Sequence, residues 1–217
     1  GDVGWNTWEE IDRVTNPTGS LTNFGWPCYE GNAAQSGYQS ANLPLCQGLY
    51  SGAGQTAPYY TYNHGSRVVA GETCPSGSSS ISGMAFYPDS GGSYPAAYSG
   101  ALFFADYSRN CIWAMLKGAN GLPDPNQIQT FAAGAAGPVH LNIGPGGELY
   151  YPDLGGGTVR RIRYFPNNRP PIASFTVLKR RSFSSVVSVG DSPVVPLTTS
   201  ELVPLSSSVR ASRPACA

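Results

Sequence analysis

Charge is scarce in this sequence. Of 217 residues only 12% are Asp, Glu, Lys or Arg, and 13 basic side chains are matched by 13 acidic ones. That balance removes the electrostatic footprint of a nucleic-acid binder or of a protein drawn to anionic lipid. No stretch approaches the roughly 20 consecutive apolar residues of a membrane-spanning helix. The opening GDVGWNTWEE lacks the basic start and apolar run of a signal peptide and begins within what reads as packed structure, so the parent N-terminus is expected upstream. The five Cys show no CxxC or Cys/His spacing of a zinc site. Four of them, Cys28, Cys46, Cys74 and Cys111, read either as two disulfides formed in an oxidising, extracellular compartment or as buried free thiols. The expected pairs are Cys28–Cys46 and Cys74–Cys111, with Cys216 unpartnered.

What is abundant is Gly at 27, Pro at 19 and Tyr at 13, a mixture that favours short strands and tight turns. The chain reads as all-β. An internal repeat is its most informative feature: GALFFADYSRNCIWAM from Gly100 aligns without gaps on GELYYPDLGGGTVRRI from Gly147, 47 residues further on. Leu102 meets Leu149, Asp106 meets Asp153 and Ile112 meets Val159, so burial at equivalent positions is expected. Each unit reads as strand, turn, strand, preceded by a further apolar segment ending in Pro (SGMAFYP, VHLNIGP). A repeat of this length suits a propeller blade, whose faces are covered by its neighbours. A two-unit β-sandwich is the alternative.

VGWNTWEEIDRV reads as a strand or strand pair whose three acids and one base suit an exposed edge. Asn23 to His64 reads as a long, cross-linked insertion. Beyond Pro166, NNRPP is a linker signal, and from Ile172 the chain is Ser-, Val-, Pro- and Arg-rich without Trp or Tyr. Residues 1–171 are therefore the expected folded portion and 172–217 a disordered low-complexity tail, to which PIASFTVL adds at most one strand.

The segments GDVGWNTWEEIDRV, NFGWPCYEG, YNHG, SISGMAFY, YPAAYSGALFFADYSRNCIWAM and GPVHLNIGPGGELYYPDLGGGTVRRIRYFP resemble bacterial secreted proteins of the glucose/sorbosone dehydrogenase family. The resemblance covers Gly1 to about Pro171. It implies the C-terminal portion, about three blades, of a six-bladed β-propeller whose remaining N-terminal blades lie upstream. It also implies a secreted sugar dehydrogenase that uses pyrroloquinoline quinone (PQQ) and calcium. The lysine and two arginines that hold the quinone carboxylates in that family fall on Ser108, Gly137 and Val139, none of which is cationic. Arg109, Arg160 and Arg163 are the substitutes. A non-catalytic extracellular propeller that binds carbohydrate or a surface is the rival reading.

For the chemistry, His64 reads as a general base near a sugar hydroxyl or as a histidine that bonds a loop. Trp26, Tyr29, Trp5 and Trp8 offer faces for a pyranose or pack under loops. His140 lies in the apolar strand VHLNI and is expected to point at a channel. Arg161 is expected to face opposite to Arg160 and Arg163. Asp106 and Asp153, in equivalent turns, read as acceptors for turn amides, and no metal site is expected. Met84, Phe86, Phe103 and Tyr150 are expected on an uncovered blade face.

Overall fold

The computed structural model describes residues 1–52 and 54–166, and the backbone of Leu197–Thr199. Strands account for 35% of the described residues and helices for 10%, which makes the described part all-β, and among these residues the sheets do not close into a barrel or ring.

The first strand, β1 (Trp8–Ile11), leads into a cap. The cap contains a hairpin of β2 (Tyr29–Glu30) and β3 (Ala33–Ala34), then two short helices, α1 (Ser36–Ala41) and α2 (Pro44–Tyr50). The Cys28–Cys46 disulfide ties the hairpin to α2. Closing a loop of this size stabilises by about 2 to 4 kcal/mol, chiefly by restricting the unfolded chain. The chain returns as β4 (Tyr60–Asn63), antiparallel to β1. The insertion thus stops short of the sheet, and its last residues are a strand.

Two four-stranded antiparallel meanders follow. The first runs β5 (Ile81–Phe86), β6 (Leu102–Asp106), β7 (Cys111–Lys117) and β8 (Pro123–Ala133). The second runs β9 (Asn142–Ile143), β10 (Leu149–Asp153), β11 (Thr158–Tyr164) and β12 (Leu197–Thr199). The repeat holds in register: Leu102 pairs with Met115 and Asp106 with Cys111, while Leu149 pairs with Ile162 and Asp153 with Thr158. The connection before the repeat differs, running from Phe86 to Leu102 in one unit and only from Ile143 to Leu149 in the other.

Every residue of β6 is buried because this sheet is covered on both faces. Leu102, Phe104, Trp113 and Met115 pack against Ile11 and Tyr62 of the first sheet. Phe103, Ala105, Ile112, Ala114 and Phe131 pack against Leu149, Tyr151 and Ile162 of the third. The Cys74–Cys111 disulfide fastens the connection after β4 to β7. There Glu72, buried, accepts from the Trp113 indole (2.6 Å) and the Thr130 hydroxyl (2.7 Å). Both expected disulfides are present, and two disulfides fit an extracellular protein. No helix among the described residues is long and apolar enough to cross a membrane.

Four expectations are corrected. The acids of β1 do not line an exposed edge: Glu9 and Glu10 are buried, where they accept from backbone amides of β5 and the cap. Val159 is half-buried where Ile112 is fully buried, because nothing among the described residues plays for the third sheet the part that the third plays for the second. Phe103 is fully buried rather than on an open face, while Phe86 is 69% exposed. Arg161 and Arg163 share a side, both against Glu148, and Arg160 is opposite with Asp153, as period-two alternation requires. Of the expected tail only Leu197–Thr199 is described, and it forms β12 against β11 rather than lacking structure; the rest of the tail, PIASFTVL and Cys216 lie outside the described residues.

Candidate functional site: a carboxylate-held histidine

The end of the stack that carries the β6–β7 turn gathers most of the buried polar groups. Period-two alternation along β1 puts Glu9 on the face of Ile11, toward the second sheet, although its side chain is charged. Its carboxylate is fully buried and divided: Oε1 lies 2.7 Å from His64 Nε2, and Oε2 accepts from the Ile81 amide at 2.7 Å. Burial pushes the Glu9 carboxyl up and the nearby Asp106 adds to this, while the Ile81 amide and His64 pull it down.

His64 follows directly on β4, and its backbone is held from three sides. Its N–H donates to Thr7 O at 2.9 Å, and its carbonyl accepts from the Gly77 amide and from Arg109 Nη2. With Nε2 engaged by Glu9, Nδ1 is the ring nitrogen left to meet a ligand. An ionised Glu9 fixes the proton on Nε2 and makes Nδ1 an acceptor, whereas a protonated Glu9 reverses the roles. A buried carboxylate on one nitrogen of a 13%-exposed imidazole is a general-base arrangement.

Arg109 is the brace beneath it. Fully buried, it donates to Ser79 Oγ (2.7 Å), Ser66 O (2.8 Å), Asn63 O (2.8 Å) and His64 O (3.1 Å), with its guanidinium over the Tyr62 ring. Asp106 holds the turn that presents it, accepting from the Arg109 amide (2.9 Å), the Ser80 amide (3.0 Å) and the Tyr62 hydroxyl (2.8 Å). Asp153 does the equivalent work in the next sheet, accepting from the Gly156 amide and the Thr158 hydroxyl and pairing with Arg160. Both aspartates are therefore the turn acceptors that the repeat suggested.

The remaining predicted residues are scattered. Trp26 is 46% exposed and Tyr29 is half-buried edge-on to Tyr50, both in the cap. His140 is exposed and lies outside β9, which is confined to Asn142–Ile143, so it is not an inward strand residue. None of their contacts joins them to His64.

The three arginines do not fit an anionic quinone. Arg109 is sealed in protein oxygens, Arg160 is paired with Asp153, and Arg163 with Glu148 on the other side of the strand. Ser108, where the resemblance would place the quinone-binding lysine, bonds Ser80 Oγ at 3.0 Å. Gly137 is buried, with Tyr107 across from it, and Val139 is 38% exposed and carries no charge. No group of His, Cys, Asp and Glu among the described residues is arranged to hold a metal ion.

Glu9 escaped sequence reasoning because 55 positions separate it from His64. The signal was there in one form: a glutamate in register with Ile11 on an apolar face. No protein-family model, curated protein or solved structure matches this chain.

Proposed function

We propose that this chain is part of a secreted propeller of the glucose/sorbosone dehydrogenase type, and that its Glu9–His64 end binds carbohydrate. The architectural half of this reading is supported by two antiparallel meanders of the same strand order and register, stacked face to face, each with its first strand beside the other's. Blades preceding these three sheets in the same ring are the partner this reading supplies. The functional half is carried by one observation, the 2.7 Å contact between buried Glu9 and His64. It orients an imidazole whose Nδ1 then serves as a directed acceptor for a sugar hydroxyl.

Sugar oxidation is the second reading, and the same pair favours it, since a histidine backed by a carboxylate suits removal of a hydroxyl proton. Against it stands the absence of a cationic cradle at Ser108, Gly137 and Val139, with Arg109, Arg160 and Arg163 all committed to protein oxygens. No step is therefore routed through PQQ or calcium. The test is to titrate the full chain with glucose and other aldoses, followed by saturation-transfer NMR, and separately with PQQ and Ca2+, followed by absorbance. Aldose binding that His64→Gln weakens about tenfold is expected, a loss in the range of one hydrogen bond to a neutral group. The quinone spectrum should not change. Quinone binding with reduction by an aldose would replace the binding reading with the dehydrogenase one, and absence of any aldose binding would remove both.

A further inference from the structure

Trp5 is 60% exposed, an unusual use of an indole, yet the residues on either side of it in the chain are held to the protein. Buried Glu30 receives three consecutive amides with one oxygen, those of Asn6 (2.9 Å), Thr7 (2.6 Å) and Trp8 (3.0 Å). On the other side, Asp2 and Glu10 exchange two backbone hydrogen bonds (2.9 and 3.0 Å). Gly4 sits so close to the carbonyl of Trp8 that a Cβ would lie 1.7 Å from it. The turn is thus closed by a buried carboxylate and a backbone contact, and what it displays is an aromatic ring facing water.

A second ring fixes the first. Tyr38 meets Trp5 at 5.9 Å between centroids and 62° between planes, an edge contact that leaves a face of the indole open. Tyr38 is itself placed by Gln35, whose side chain accepts its amide at 2.9 Å, in the cap that Cys28–Cys46 closes. The turn joins the histidine site directly, because His64 N–H donates to Thr7 O. Only Asn6 lies between Thr7 and Trp5, so their backbones are at most roughly 7 Å apart.

We propose that Trp5, backed by Tyr38, is a stacking subsite for a β-linked glucosyl ring, next to the ring bound at His64. This deepens the carbohydrate reading and rests on it. The residues of the turn, Val3 to Trp8, are all uncharged, which suits a hydroxylated neutral ligand and offers nothing to a phosphate. An all-equatorial pyranose presents its axial C–H bonds together on a face that an indole covers, while its hydroxyls reach outward to Asn6 and Thr7. An axial hydroxyl, as in a galactosyl ring, interrupts that face.

The test uses the full chain, with glucose and cellotetraose titrated in parallel by calorimetry and NMR. The expected result is that cellotetraose binds more tightly than glucose. Trp5→Ala should remove that advantage, weakening cellotetraose about tenfold while leaving glucose affinity and the melting temperature unchanged. Trp5→Phe should restore part of it, and Trp26→Ala should have no effect. Equal cellotetraose affinity in wild type and Trp5→Ala, or glucose binding without any gain for the tetramer, overturns the subsite and leaves the His64 reading standing. Binding of neither sugar overturns both. Trp5-dependent binding to phosphatidylcholine vesicles in place of cellotetraose overturns the subsite in favour of a membrane contact.

Discussion

Single residues in this protein carry more electrostatic work than its low charge content suggests, because several of the acids are buried. Glu10 is the clearest case. Burial pushes its carboxyl up to about 7, with the Gly31 amide opposing and Asp12, Asp2 and Glu30 adding to the rise. Its ordinary value is 4.5, so the folded protein holds the proton more firmly than the unfolded chain does. The stability this confers is fully present below about 4.5 and is lost as the pH rises to about 7, with no further change above. Glu10→Gln keeps an oxygen for the Gly31 amide and removes the titration. It is expected to match the wild type at pH 4.5 and to exceed it by ~3 kcal/mol at pH 8, or roughly 6–12 °C in melting temperature. Thermal melts of the two proteins that stay parallel across this range would show that Glu10 is not the group responsible.

At the scale of elements, what was legible in the sequence was whatever is local or repeated. The strands of GALFFADY and GELYYPD, the aspartate turns and even the pairing register follow from alternation and from a repeat that keeps its spacing between Gly100 and Met115 and between Gly147 and Ile162. Contacts made by the connections were not legible, since no periodicity marks them. The chain between β5 and β6 is longer than its counterpart between β9 and β10, and the extra length carries Tyr94 and Tyr98. These pack with Phe103 and Phe131 at centroid distances of 5.3 to 6.0 Å and form much of the layer between the two meanders. Tyr94 also bolts them together: its hydroxyl donates to Ile162 O and accepts from Leu149 N–H, each at 2.7 Å. Burial drives that hydroxyl well above its ordinary range, so it stays protonated and able to donate. Tyr94→Phe keeps the ring and leaves a buried Leu149 amide without its acceptor, for an expected loss of about 1 to 3 kcal/mol. A denaturant midpoint unchanged in Tyr94→Phe would mean that the ring alone does the work. The candidate site divides in the same way: His64 stood out as one of two histidines, whereas Glu9 and Arg109 reach it across 55 and 45 positions.

The described residues form a stack whose sheets meet differently at their inner and outer strands. β5 and β9 are the strands of the two meanders that come within backbone reach of each other. There Gly83 lies against the chain entering β9: a Cβ on it would be 2.4 Å from Leu141 N and 2.5 Å from His140 C. Away from this line the gap is filled by large rings, Tyr94, Tyr98 and Phe131, so the sheets meet backbone to backbone on one side and through aromatic side chains on the other. Gly83→Ala places a methyl group against backbone that cannot rotate aside, so the inner line must open and the aromatic layer must shift with it. The expected loss is about 1 to 3 kcal/mol, with a weakened near-UV circular dichroism signal from the tyrosines. Gly48→Ala is the control, since a Cβ there meets nothing within 4 Å and the position lies inside α2. A Gly83→Ala protein with wild-type stability and an unchanged near-UV spectrum would show that the inner strands are not in close contact.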